Sequence, residues 1–189
     1  MKKVYLFIAV FTFSSMAFTP VDGIIGKTFP SMACEDYNGK QVNLPDIAKG
    51  KYSLIGMAFS NAAEKDLKQW IEPLYNAFVP SQKQKDDANP FDISSINYDI
   101  HLYFVPMFTS ANQLLSKTAK QKIKEQSDPQ LYSYLLFYEG DKTYKEELNF
   151  EKKDVPYFFV IDTTGKIVYA TSGEYSEKKM DDITDALSE

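Results

Sequence analysis

The spacing of apolar positions changes along this chain, and each change marks an element. Between Ser31 and Leu44, Met32 and Cys34 alternate with polar neighbours. Val42 and Leu44 do the same after Asn38-Gly39, a dipeptide suited to a tight turn between strands. A β-hairpin is predicted over residues 31–44, with a short turn or helical loop over Pro45–Gly50. Tyr52–Phe59 is almost continuously apolar, as a central strand buried on both faces requires. The period then becomes helical. Leu67, Trp70, Ile71, Leu74 and Phe78 share one face of a helix expected from about Ala62 to Phe78. Pro73 removes one hydrogen bond from that helix and Pro80 ends it.

Residues 81–97 are polar and read as an exposed loop. Tyr98–Val105 is a second strand, closed by Pro106. Ala111–Glu125 has a helical face with a Lys-rich outer side, and Asp128-Pro129 breaks it. Leu131–Tyr138 is an apolar strand or buried turn, and Thr143–Leu148 a short helix. Val155–Asp162 and Lys166–Thr171 form a hairpin around Thr163-Thr164-Gly165. Ser176–Leu187 is a last helix with Met180, Ile183 and Leu187 inside. No internal repeat is present. The order is hairpin, βαβα, hairpin, helix. It predicts an α/β fold, a mixed central sheet with helices on both faces and an N-terminal β-hairpin.

The N-terminus changes the picture. Lys2 and Lys3 precede the apolar run Val4–Phe13, which falls well short of the roughly 20 residues that cross a bilayer. Ser15-Met16-Ala17 supplies small residues at the positions a signal peptidase reads. Residues 1–17 are expected to be a secretory signal cleaved after Ala17. Residues 18–189 then form one domain that spans no membrane and is periplasmic or secreted. The net charge is −5 and the chain contains no Arg. No basic face for nucleic acid is visible, and no guanidinium fork is available for phosphate or carboxylate. The single Cys excludes an intramolecular disulfide.

Three stretches carry a resemblance. ACEDYNGKQVNL resembles the lead-in hairpin of exported thioredoxin-like and peroxiredoxin-like proteins. The proline-containing helix after the first central strand resembles their active-site helix. Asp154-Val155-Pro156-Tyr157, followed by VID-TTG-KIVY, resembles the cis-proline segment that faces the active site. The resemblance covers roughly residues 26–188 and implies a thioredoxin-like fold. EKDLKQWIEPLYNAF, LLFYEGDKTYKEELNF and VPYFFVIDTTGKIVYATSGEYSEKKMDDI further resemble the mitochondrial ATP synthase assembly factors. That second resemblance implies an assembly or chaperone role rather than redox turnover.

The chemistry of such proteins needs thiols, and Ser60-Asn61-Ala62-Ala63-Glu64-Lys65-Asp66 supplies none where the fold would place them. A peroxidase of the peroxiredoxin kind also needs an Arg. Cys34 has acidic neighbours, Glu35 and Asp36, which raise a thiol's pKa, and it reads as a small buried apolar side chain. His101 is the sole histidine and has no partner at metal-ligand spacing, so no metal or cofactor is expected. Asp181-Asp182 and the lysines at 117–124 and 152–153 read as solvated faces. The expected function is binding of a protein or extended peptide, without catalytic residues, through Asn61, Ala62, Ala63, Val155 and a cis-Pro156. The alternative is a thiol-dependent oxidoreductase or peroxidase acting through Cys34.

Overall fold

The computed structural model describes residues 23–79, 98–109, 113–140, 143–152 and 154–188. The expected signal segment 1–17 and the loop 81–97 lie outside the described residues. The described strands form one seven-stranded sheet in the order β2-β1-β5-β4-β3-β6-β7. These are β1 (Met32–Asp36), β2 (Gln41–Leu44), β3 (Ser53–Ala58), β4 (His101–Thr109), β5 (Leu136–Gly140), β6 (Tyr157–Ile161) and β7 (Ile167–Ser172). The helices are α1 (Asn61–Phe78), α2 (Gln113–Gln126), the single turn α3 (Tyr144–Glu147) and α4 (Glu177–Ala186). Short 3-10 turns cover Asp46–Ala48 and Pro129–Tyr134.

β3, β4 and β5 run parallel, and the chain steps across them in one direction. Right-handed crossovers therefore place α1 and α2 on the same face of the sheet. The side chains agree. Leu54, Ala58, Phe158 and Val160 of the sheet pack with Leu67, Trp70 and Leu74 of α1 and with Ile183 of α4. Gly56 makes room for this contact: a Cβ there would sit 2.8 Å from the Phe158 ring. The opposite face, with Ile55, Met57, Val105 and Phe159, is covered by Ile24, Phe29, Ala48, Tyr144 of α3 and Leu148 just after it. Each face has its own cluster because strand side chains alternate.

Two boundaries and one peptide bond differ from the sequence-based expectation. β4 is shifted along the chain and runs through Pro106 to Thr109. Pro106 lies opposite Ala58, the last residue of β3, and pairing with β5 begins at Met107. The missing N–H falls where one ladder hands over to the next. α1 runs through Pro73 to Phe78, as expected. The carbonyl that Pro73 leaves unpaired is that of Gln69, an exposed residue that water can reach. Residues 129–134 wind into a 3-10 turn, so only the end of the apolar run 131–138 is strand. Finally, the Val155–Pro156 bond is not cis; among the described residues the cis bond is Leu44–Pro45. Pro156 directly precedes β6, its carbonyl taking the Gly173 N–H at 2.9 Å. Proline is tolerated beside a strand's start, where no ladder donor is lost.

The lysines of α2 are also not one solvated face. Lys117 and Lys122 are exposed, but the side chain of Lys120 is 13% exposed. It bridges Glu35 of β1 (3.3 Å) and Glu139 of β5 (3.1 Å). The Ser116 hydroxyl donates to Glu139 at 2.6 Å, and this bond, with Lys120 beside it, holds the Glu139 carboxyl below its ordinary range. Lys124 lies over the Tyr37 and Phe137 rings. This network fixes α2 against the β1–β5 half of the sheet.

Candidate functional site

The candidate site lies at the carboxyl ends of β3 and β4, the end of an α/β sheet where ligands gather. β3 stops at Ala58, and Ser60 caps α1, its side chain accepting the Ala63 N–H at 3.1 Å. Asn61 and Ala62 are exposed in the first turn, whereas Ala63 is buried against the sheet. β6 pairs antiparallel with β3, Met57 opposite Tyr157. One step further along that register sets Pro156 opposite Ala58, so the fold brings Val155 and Pro156 to the end of β3 from which α1 starts. Pro156 is buried, and Val155 is half-buried against the core. Of the five residues singled out from sequence, only Asn61 and Ala62 present open surface. Trp70 ties the two parts together, its Nε1–H donating to the Gly173 carbonyl at 3.0 Å.

Two features flank the start of α1. On the α3 side, Phe59 stacks on Phe150 (5.6 Å between centroids), and the Lys145 ammonium lies 4.5 Å from the centre of the Phe59 ring. Phe150 in turn stacks on Tyr157 at 4.0 Å. On the α2 side, a cleft of about 620 Å³ opens between α1 and α2. Phe108, Met107 and Ile123 supply apolar wall, with Asn61, Glu64, Lys68, Ser116 and Lys122 around them. Burial pushes the Glu64 carboxyl above its ordinary value, against the opposing pull of Lys68 and Lys122. Sequence reading missed this cleft. Glu64 and Lys68 could have been paired as i,i+4 neighbours on α1, but only the fold brings Phe108 and Lys122 to them.

The one thiol lies elsewhere. Cys34 is 1% exposed on β1, and burial pushes its pKa up to about 12. The cause is desolvation, not the acidic neighbours on which the sequence argument relied. His101, at the start of β4, is held below its usual value first by burial and then by Lys51, with Asp99 opposing. Asp182 takes hydrogen bonds from Lys178 of α4 and from the Tyr169 hydroxyl of β7. Among the described residues no group of His, Cys, Asp and Glu side chains could hold a metal ion. None of their helices is long and apolar enough to cross a membrane.

The family profile described as ATP10 protein matches residues 25–189. The chain belongs to the ATP10 protein family. No curated protein matches it. Solved structures with this fold are thioredoxin-like. The exposed lipoprotein thioredoxin of Streptococcus pneumoniae is 19% identical, with 84% of this chain and 98% of that one covered at a TM-score of 0.52. A thiol:disulfide interchange protein from Bacteroides sp. is 18% identical, covering 87% and 91% at 0.51. BsSco, described as a member of the Sco family of cytochrome c oxidase assembly proteins, is 16% identical, covering 85% and 92% at 0.50. At these identities the likeness establishes the thioredoxin-like fold alone. This ATP10 family member thus combines that fold with a cysteine-free turn, Ser60–Ala63, at the start of α1.

Proposed function

We propose that this chain is an exported binding protein without dithiol redox activity, acting in the assembly of other proteins through the surface at the start of α1. The observation that carries the reading is the placement of sulfur. The turn that leads into α1 holds Ser60-Asn61-Ala62-Ala63, and the lone thiol, Cys34, is buried with its pKa near 12. Thiol exchange proceeds through an accessible thiolate and a second sulfur, and neither condition is met. The family likeness to ATP synthase assembly factors supports the assembly role, and BsSco offers a parallel of the same fold among assembly proteins. Export rests on Lys2, Lys3, the apolar run 4–13 and the small residues before position 18.

Asn61 and Ala62 form the contact surface. Ala63 and Pro156 support it from beneath, and Val155 borders it. The test compares insulin reduction and peroxide consumption by the chain and by Cys34→Ser. Both are expected to be inactive, while a photo-crosslinker at Asn61 gives a discrete adduct that the same group at the exposed Ser133 does not. Turnover that depends on Cys34 would overturn the proposal and restore the thiol-enzyme reading.

A further inference from the structure

The cleft between α1 and α2 has a charge arrangement that its own residues leave incomplete. Lys68 comes from α1 and Lys122 from α2, and both are exposed at the cleft. Glu64 lines the same cleft, near enough for both to act on its charge, yet among the described residues neither lysine closes an ion pair with it. Two other lysines of α2 are satisfied, Lys120 by two carboxylates and Lys124 by Glu35 and two aromatic rings, while Lys117 is exposed outside the cleft. Two lysines without an ion pair among the described residues, against one half-buried carboxyl, make this cleft locally positive on a chain whose net charge is −5. Beside them, Phe108 and Ile123 give half-buried apolar wall.

We infer that this cleft takes an extended segment of a partner protein that carries a carboxylate side chain next to a large apolar one. The carboxylate lies between Lys68 and Lys122, and the apolar side chain rests on Phe108 and Ile123. A peptide suits the site better than a compact solute because the cleft is open to solvent. It also has polar groups at its margin, Asn61 and Ser127, that can meet a backbone N–H or carbonyl. On the Val155 side of α1 the space is taken by the chain's own Phe59, Phe150 and Lys145. The inference rests on the binding role proposed above and names the partner's chemistry.

The test uses the full chain carrying Cys34→Ser, so that no thiol contributes. Its probe is a short fluorescent peptide alternating Glu and Leu, set against the same peptide with Gln in place of Glu. The Glu peptide is expected to bind more tightly by about tenfold or more, the scale of a charge-assisted contact. That preference should shrink with added salt. Amide shifts on binding should centre on Phe108, Ala119 and Ile123. Lys68→Glu with Lys122→Glu should abolish the preference. Lys122→Gln alone, at an exposed position that leaves folding intact, should reduce it. Equal binding of both peptides, an unchanged preference in either variant, or shifts centred on Val155 instead would overturn the inference. Thiol-dependent turnover in the insulin assay would sink the binding role without touching this result, so the two failures are distinguishable.

Discussion

Cys34 sits on β1 opposite Val42 of β2 on one side and Tyr138 of β5 on the other, and its thiol belongs to the buried cluster on that face of the sheet. With 1% exposure it should not react with a thiol reagent at pH 8 until denaturant is added. Its titration has a second consequence. The native pKa, about 12, lies above the ordinary value of 9.0, so the native state keeps the proton after the unfolded chain has lost it. The stabilisation is fully present below pH 9 and is lost as pH rises from there towards 12, at up to about 1.4 kcal/mol per pH unit for one group. Urea midpoints of the parent chain should therefore fall more steeply over this window than those of Cys34→Ala. Parallel curves would show that the thiol meets water in the native state. Tyrosines titrate in the same range, and the difference between the two proteins removes their contribution. Glu64 shows the same sign at lower pH. Burial raises its carboxyl, and the native state resists its ionisation as pH rises through the carboxylate range.

α1 carries the candidate surface at its start and Trp70, buried in the core, near its middle. Ser60 and Ala63 stand at the helix cap and three residues on, the spacing and position at which paired thiols work in thiol exchange. Ser60→Cys together with Ala63→Cys should give a disulfide that forms under mild oxidant and reopens with dithiothreitol. The thiol at position 60 should titrate below the ordinary range, because a helix N-terminus favours the thiolate. The lost cap should cost about 1 kcal/mol. A pair that stays reduced would mean that the turn has drifted from that geometry as well as from that chemistry. Further along, Trp70 is fully buried, 4.2 Å from Phe158 and edge-on to Tyr175, and it donates to the Gly173 carbonyl. Trp70→Phe keeps most of the packing but removes the donor from a buried carbonyl. A loss of about 1–3 kcal/mol is expected in urea unfolding followed by circular dichroism, since the chain has no other tryptophan to report. A loss near zero would mean that water reaches Gly173.

Across the whole molecule, stability should follow the sheet order. β3 is paired on both sides, by β4 and β6, and every residue in it is buried. Its amides should exchange slowest, and those of the edge strand β2 should exchange before any central strand. Exchange of β3 as fast as β2 would contradict a single cooperative core. The sequence by itself determined the elements of this fold wherever one spacing of apolar residues was sustained. It gave the 31–44 hairpin, the β3 run, the Leu67–Phe78 face of α1, the closing hairpin and the face of α4. It also determined that the turn before α1 holds no cysteine and that the chain has one Cys and no Arg, which are facts of composition. Local pattern misled where a residue's role depends on its neighbours. Pro106 does not end β4 because its missing N–H falls between two ladders. Lys120 is not solvated because β1 and β5 bring Glu35 and Glu139 beneath it. Only the tertiary structure decided that the cleft at the start of α1 opens towards α2, because Glu64, Phe108 and Lys122 lie far apart in the chain and meet through right-handed crossovers that put α1 and α2 on one face.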